Sequence, residues 1–305
     1  MKSYLGIDIS KLHLDLSHPV PAKRLANTEK AILPWLKSLP PETILVCEAS
    51  GGYEALLLRL AHALRRPIIH LNARQVRDFA RAQNRLAKTD RIDAGLIAEF
   101  AHTFQPQPLP LPDPLQEQLL ALVKHRSHLL TQITQNHNLT QTLSDKHLLR
   151  LIAKTVAFLH KQVAQLEALI HLKVAASPHL LAKVNRLQQV QGIGLLTATS
   201  LIALMPELGS LSDTQAAALA GVAPFNHDSG QFRGQRHIFG GRSQLRSVLY
   251  MAALVASRHN PILKPLYLRL LLRGKAKKLA LTALMRKLIV LANRLLKCPD
   301  FILAT

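Results

Sequence analysis

Four acidic residues in the first hundred positions stand where carboxylates can do metal chemistry. Asp8 closes a short apolar run in GIDIS, and Glu48 follows the compact run TILVC, just before Ala-Ser-Gly-Gly. Asp90 and Asp93 lie three apart in KTDRIDA, a spacing that puts two helical side chains on one face. Carboxylates at strand ends and on one helix face can converge. Held together they repel, and a shared cation is the natural compensation; their hard oxygens suit Mg2+ or Mn2+. Two such ions about 3.5–4 Å apart stabilise the attacking and the leaving oxygen of a phosphoryl transfer. Each acid also has an ordinary alternative. Asp8 and Glu48 suit turns at strand ends, Asp90 suits the first turn of a helix, and Asp93 suits a surface pair with Arg85 or Arg91. Asp15, Asp78 and Glu99 are expected to be solvated or salt-bridged. In this order the four point to an RNase H-like nuclease fold.

A second constellation lies in GVAPFNHDSGQFRGQRHIFGGRSQLRSVLYMAAL. Ser229 precedes Gly230 in a loop-like stretch, and Arg233, Arg236, Arg242 and Arg246 follow. A serine hydroxyl attacks only once its proton is taken or its oxygen polarised. Arginines clamp phosphate oxygens bidentately and offset the charge that develops on them. The alternative is an Asp-Ser-Gly turn in a basic loop that only grips DNA. Tyr250, the other possible nucleophile, sits at helical spacing and is expected in the core. Ser243 and Ser247 are weaker candidates, on or beside a helix. Upstream, LQQVQGIGLLTATSLIA reads as a helix-hairpin-helix in which Gly192 and Gly194 turn backbone N–H groups toward a phosphate. A plain sharp helix–helix turn is the alternative. Lys275, Lys277 and Lys278, in RGKAKK, form a phosphate-facing stripe.

These groups need elements to hold them. Residues 4–9 and 13–17 read as a hairpin turning at Ser10-Lys11; 43–47 and 67–71 read as short buried strands. Residues 53–64 read as a helix, and 74–104 as helical with a break near Thr89. Strands mixed with helices predict an α/β domain over 1–105. QPQPLPLPDP, residues 105–114, is a stiff linker. From 115 to about 175 the chain is Leu-rich without Pro or Gly, which predicts long helices, paired as a coiled coil, in an arm over 106–185. Residues 186–305 predict an all-α domain, with 222–243 as a basic loop.

Charge names the partner. The chain of 305 residues carries a net charge of +21. The three segments hold +5, +4 and +12, so the last, with four acids, carries most of the excess. Such a field suits a polyanion. Cys47 and Cys298 make neither a disulfide framework nor a zinc motif. With no signal-like start and no run of 18 apolar residues, a cytoplasmic, nucleoid-associated protein without membrane contact is expected.

GIDIS, VCEASGGYE and KTDRIDA, followed by QGIG and the long serine-bearing stretch, resemble the DEDD transposases of bridge-RNA-guided bacterial insertion sequences, relatives of the Piv DNA invertases. The resemblance runs over essentially the whole chain. It implies a RuvC-like first domain with Asp8, Glu48, Asp90 and Asp93 as the metal-binding tetrad, and a C-terminal domain whose Ser229 becomes covalently joined to DNA. It implies active sites composed across subunits, a homo-oligomer from dimer to tetramer joined by the helical arm, and a structured non-coding RNA pairing with donor and target DNA. One position departs: relatives often carry a second arginine where this chain has Ser247, which touches one phosphate contact and not the chemistry. No GxxxxGK[ST] motif is present, in keeping with strand exchange that needs no ATP. Two rivals stand beside this reading: a RuvC-like structure-specific nuclease using water, and a non-catalytic nucleic-acid-binding protein.

Overall fold

The computed structural model describes residues 3–17, 24–85, 90–109, 113–225 and 237–301, leaving aside the side chains of 90–92. Ser229, Arg233 and Arg236 therefore lie outside the described residues. The chain forms two compact units, Met1–Pro112 and Asp113–Thr305.

The first unit begins with β1 (Ser3–Ile9), β2 (His13–Leu16), β3 (Arg24–Ala26) and α1 (Glu29–Ser38). It continues with β4 (Thr43–Glu48), α2 (Ala55–Ala63), β5 (Ile68–Leu71), α3 (Ala73–Ala82) and α4 (Asp90–Phe104). The strands form one mixed sheet in the order β3-β2-β1-β4-β5. β1 pairs antiparallel with β2 and parallel with β4, and β4 pairs parallel with β5. The expected hairpin and both buried strands are present, and the mixed sheet agrees with an RNase H-like domain.

Alternation along the strands sorts the core into two layers. Leu5, Ile7, Leu45 and Ile68 pack under α1 and α2 with Ile32, Trp35, Leu57 and Leu60. Tyr4, Ile44, Val46 and Ile69 pack under α3 and α4 with Val76, Ile97 and Phe100. A sheet covered on both faces explains why TILVC is apolar throughout rather than alternating. Gly6 lets α4 approach. A Cβ there would lie 2.1 Å from the Ala94 carbonyl oxygen and 2.7 Å from the Ala98 nitrogen.

The second unit begins with α5 (Pro114–Thr140), α6 (Lys146–Ala175), α7 (Pro178–Gln188), α8 (Leu195–Leu204) and α9 (Asp213–Leu219). The short strands β6 (Pro224–Phe225) and β7 (His237–Ile238) follow, then α10 (Ser243–His259), α11 (Leu263–Leu272) and α12 (Lys277–Lys297). β6 and β7 pair antiparallel, so the basic loop expected over 222–243 has a two-stranded root. Pro114 and Pro178 open helices capped by Asp113 and Ser177, positions where proline loses no hydrogen bond. α5 and α6 pack side by side through Leu129, Ile133, Leu159 and Val163, with Arg126 bridged to Glu167 at 2.7 Å. Nearer their other ends, Leu119, Val123, Ile170 and Val174 enter the same core as α7 to α12. Among the described residues no helix is long and apolar enough to cross a membrane.

Gly6→Ala is expected to lower stability by at least about 3 kcal/mol, because backbone on both sides must move. Gly95→Ala, one position past Ala94 on the exposed side of α4, meets nothing within 4 Å among the described residues. It should raise stability by about 0.5–1 kcal/mol through helix propensity. Urea denaturation of the two variants checks both signs.

Candidate functional site

Strand parity puts two of the four acids on one side. Asp8 follows Tyr4 and Gly6 on the α4 face of β1, and Glu48 follows Ile44 and Val46 on the same face of β4. Parallel pairing aligns Ile7 with Cys47, so the two acids end neighbouring strands at one sheet edge. α4 runs antiparallel to β1. The Tyr4 ring meets His102 near its end, with centroids 4.9 Å apart, and Gly6 meets Ala98 and Ala94. The next step along β1 reaches Asp8 and carries α4 back to its first turn, where Asp93 sits and Asp90 opens the helix. The positive end of the helix dipole thus lies at the edge that gathers negative charge. The side chains of Asp8, Glu48 and Asp93 are all partly exposed. Among the described residues no three His, Cys, Asp or Glu side chains form a group that could hold a metal ion, and the Asp90 side chain is outside that set. Carboxylate oxygens are the ligand type that a hard divalent ion takes, and the elements bring the backbone of these positions toward the same end of the sheet.

Two supports surround these acids. Asp15 stands directly opposite Asp8 across the β1–β2 pair, where like charges repel. Arg24 on β3 grips both oxygens of Asp15, at 2.8 and 3.0 Å, and offsets that repulsion. The second support is Glu54. One of its oxygens accepts from the Ser50 hydroxyl at 2.6 Å, the Gly52 nitrogen at 2.9 Å and the Ser50 nitrogen at 3.2 Å. It therefore fastens the loop that leaves Glu48. Gly51 and Gly52 turn that loop at φ of 78° and 114°, angles that glycine adopts without strain. Burial pushes the Glu54 carboxyl up, but these hydrogen bonds outweigh it and hold the group below the usual carboxylate range. His70 is lowered by burial against the pull of Glu54, and its Nε2 stays 3.6 Å from Glu54 with no hydrogen-bond partner among the described residues. Burial, with Glu54 and Glu48 adding to it, pushes the Cys47 thiol up to about 12. The motif VCEASGGYE contains Glu54, and its place two residues after a Gly-Gly turn is the signal that could have marked it.

The competing acids behave as expected. Asp15 pairs with Arg24, Asp78 with Arg74 and Arg81, and Glu99 with Arg85 at 2.6 Å.

In the second unit several residues turn inward. Arg242, read from sequence as a phosphate ligand, bonds both oxygens of Glu207 at 2.7 and 2.9 Å and the Leu204 carbonyl at 2.8 Å. Burial pushes Glu207 up, but the Arg242 hydrogen bonds prevail and keep it below its usual range. Arg246 bonds the Gly240 carbonyl. Gly221, Gly240 and Gly241 meet so closely that a Cβ on Gly241 would lie 2.2 Å from the Gly221 nitrogen. These contacts clamp the two ends of the segment that contains Ser229. Gly192 also faces inward. It has φ of 109°, and its Cβ would meet Ala256 at 2.9 Å. Asn260 ties the same turn down through the Gln191 carbonyl at 2.9 Å. Gly194 is exposed with open space around it, at the start of α8. Lys275, Lys277 and Lys278 are exposed. Tyr250 corrects the core expectation: it is 38% exposed, because Leu245, Leu249, Ala252 and Ala256 fill the inner face of α10.

Comparison with known proteins agrees with the geometry. A DEDD transposase family of the IS110 group, described as a transposase, matches residues 5–148. The transposase IS116/IS110/IS902 family matches residues 184–268. Two pilin gene-inverting proteins, from Moraxella lacunata and Moraxella bovis, are each 27% identical over 97% of this chain and 96% of their own length. The chain belongs to the IS110 group of transposases, and its activity is that of a DNA transposase or recombinase.

Glu54→Gln keeps an acceptor but loses the charge, and should cost about 1–2 kcal/mol at pH 7. A lowered carboxyl contributes stability that is present above its unfolded value and lost as pH falls through its folded value. The gap between wild type and variant should therefore narrow as pH falls below the ordinary carboxylate range, as read from denaturation midpoints over a pH series. Alkylation of the folded protein at pH 8 should modify the exposed Cys298 and spare Cys47.

Proposed function

We propose that this transposase cuts and rejoins DNA through a covalent phosphoserine at Ser229, with Asp8, Glu48, Asp90 and Asp93 as a metal-binding acidic tetrad. The observation that carries the reading is the sheet edge itself. Two carboxylates end adjacent parallel strands, and the helix bearing the other two begins beside them. Like charges brought together repel, and a shared divalent cation is one way to offset that cost.

Divalent ions at the tetrad, two in number and Mg2+ or Mn2+ by donor type, would supply the positive charge that the reacting phosphate demands as its oxygens gain charge. The remaining chemistry belongs to the chain. Ser229 Oγ forms a bond to the scissile phosphorus as the bond from phosphorus to one deoxyribose oxygen breaks. The hydroxyl proton leaves Oγ and ends on the departing oxygen. Arg233 and Arg236, with Lys275, Lys277 and Lys278, hold phosphate oxygens, while Arg242 and Arg246 anchor the two ends of the serine segment. A new deoxyribose hydroxyl then attacks the phosphoserine and restores both the diester and the serine. The number of phosphodiester bonds is unchanged, so no nucleoside triphosphate is consumed.

The resemblance extends the proposal. Ser229 of one subunit meets the acidic tetrad of another, the α5–α6 pair joins subunits into dimers and tetramers, and the α7–α8 turn, through Gly194, holds a phosphate. A bridge RNA selects donor and target by base pairing, which would account for a strongly basic chain that reads sequence through a nucleic-acid guide. The pilin gene-inverting relatives suggest inversion as a reaction of the same kind.

Purified protein is incubated with Mg2+, the element's flanking RNA, donor and target DNA, then denatured. A protein–DNA adduct is expected from wild type, and neither Ser229→Ala nor Asp8→Ala should give one; chelation of the metal should also abolish it. Cleavage without an adduct, at a rate unchanged by Ser229→Ala, would instead identify a nuclease that uses water.

A further inference from the structure

The second unit contains a groove that none of these roles explains. It has a volume of about 770 Å³, within the span of about 300–1,000 Å³ usual for small-ligand seats. One wall is α12 and the other is the root of the β6–β7 hairpin. Val222, Pro224 and Ile238 on one side, and Leu279, Ala283 and Val290 on the other, make its lining apolar. Leu279 is 51% exposed, a large apolar side chain left open beside the cations of α12. The same groove is lined by Lys278, Arg286 and Lys287, all exposed. Asp213, the groove's acid, is already paired with Arg294, which with Lys287 and Lys297 keeps its carboxyl below the usual range. Among the described residues neither Lys278 nor Arg286 makes a side-chain ion pair or hydrogen bond.

An apolar trough edged by uncommitted cations selects among nucleic-acid forms. Duplex DNA offers a protein mainly its phosphates, with base edges in the grooves. Phosphates would satisfy the cations and leave the trough empty. An unpaired nucleotide offers an apolar base face between two phosphates, which is the complement of this lining. Placement points the same way. β6 ends at Phe225 and β7 begins at His237, and the residues between them carry Ser229.

We propose that the groove between α12 and the β6–β7 hairpin seats one unpaired nucleotide of the strand being exchanged, with the base against Leu279 and Ala283 and its phosphates on Lys278 and Arg286. That the seated strand is the one being exchanged rests on the recombinase reading above; the seat itself does not. Holding a base out of the duplex at the root of the hairpin whose connection contains Ser229 would expose a neighbouring phosphate to attack.

Full-length protein is titrated by fluorescence anisotropy into a labelled single strand, the same strand with abasic residues, and a duplex. Wild type should prefer the intact strand to the abasic one. Leu279→Asn, at an exposed position that the fold tolerates, should weaken intact single-strand binding by roughly tenfold, through lost apolar burial against the base. It should also erase the preference over the abasic strand and leave duplex binding unchanged. Arg286→Gln should weaken all three ligands and reduce the salt slope by about one. Equal weakening of all three ligands by Leu279→Asn, or no weakening at all, would overturn the seat and leave a plain phosphate stripe. A change of oligomeric state in that variant would overturn it too, in favour of an interface between copies. The two proposals fail separately: a lost base preference with the phosphoserine adduct intact removes the seat alone, and a base preference kept without any adduct supports the seat while removing the recombinase chemistry.

Discussion

The first unit depends on a single close approach. α4 lies against β1 where Gly6 has no side chain, with less room than one methyl group requires. That contact does more than pack. It sets the height of α4 along β1, so that its first turn arrives beside the ends of β1 and β4. The proposed tetrad needs α4 at that height. One turn of slip, about 5.4 Å, would carry Asp93 away from Asp8. The register of the parallel pair does the same for Asp8 and Glu48. Geometry that a side chain could not tolerate thus underlies the gathering of charge.

Gathering charge has a cost, and the surroundings are arranged to offset it. Arg24 neutralises Asp15 opposite Asp8, the N-terminus of α4 points its dipole at the same edge, and Glu54 steadies the loop beyond Glu48 from the other side of the sheet. The C-terminal unit follows the same logic with the opposite sign. It holds most of the positive charge, yet two of the arginines in its serine-bearing stretch are committed to Glu207 and to the Gly240 carbonyl. Those contacts hold the flanks of the segment between β6 and β7, while Lys275, Lys277 and Lys278 stay exposed.

Much of this was legible in residue order. Short apolar runs ending in acids gave β1 and β4, and proline followed by leucine-rich sequence gave α5 and α6. What was not legible depends on partners far apart in the chain. β3 is three residues long and α1 contains Pro34, so neither presents a clean period. Arg242 looks like every other arginine in its stretch until Glu207, thirty-five positions earlier, folds against it. Gly192 looks like half of a phosphate-binding turn, but its missing side chain makes room for Ala256 on α10. Tyr250 fits a helical period but falls on its solvent side, because the smaller Ala252 and Ala253 take the inner positions. Periodicity fixes that a face exists; the partner decides which face it is.

The central claim is that the acids at the ends of β1 and β4 and at the start of α4 form one cation site. Mn2+ titration of the purified chain, followed by calorimetry, tests it without any DNA or RNA. The account predicts saturable binding to wild type that is lost in Asp8→Asn and in Asp93→Asn, with both variants folded as judged by circular dichroism. Undiminished Mn2+ binding in those two folded variants would contradict it.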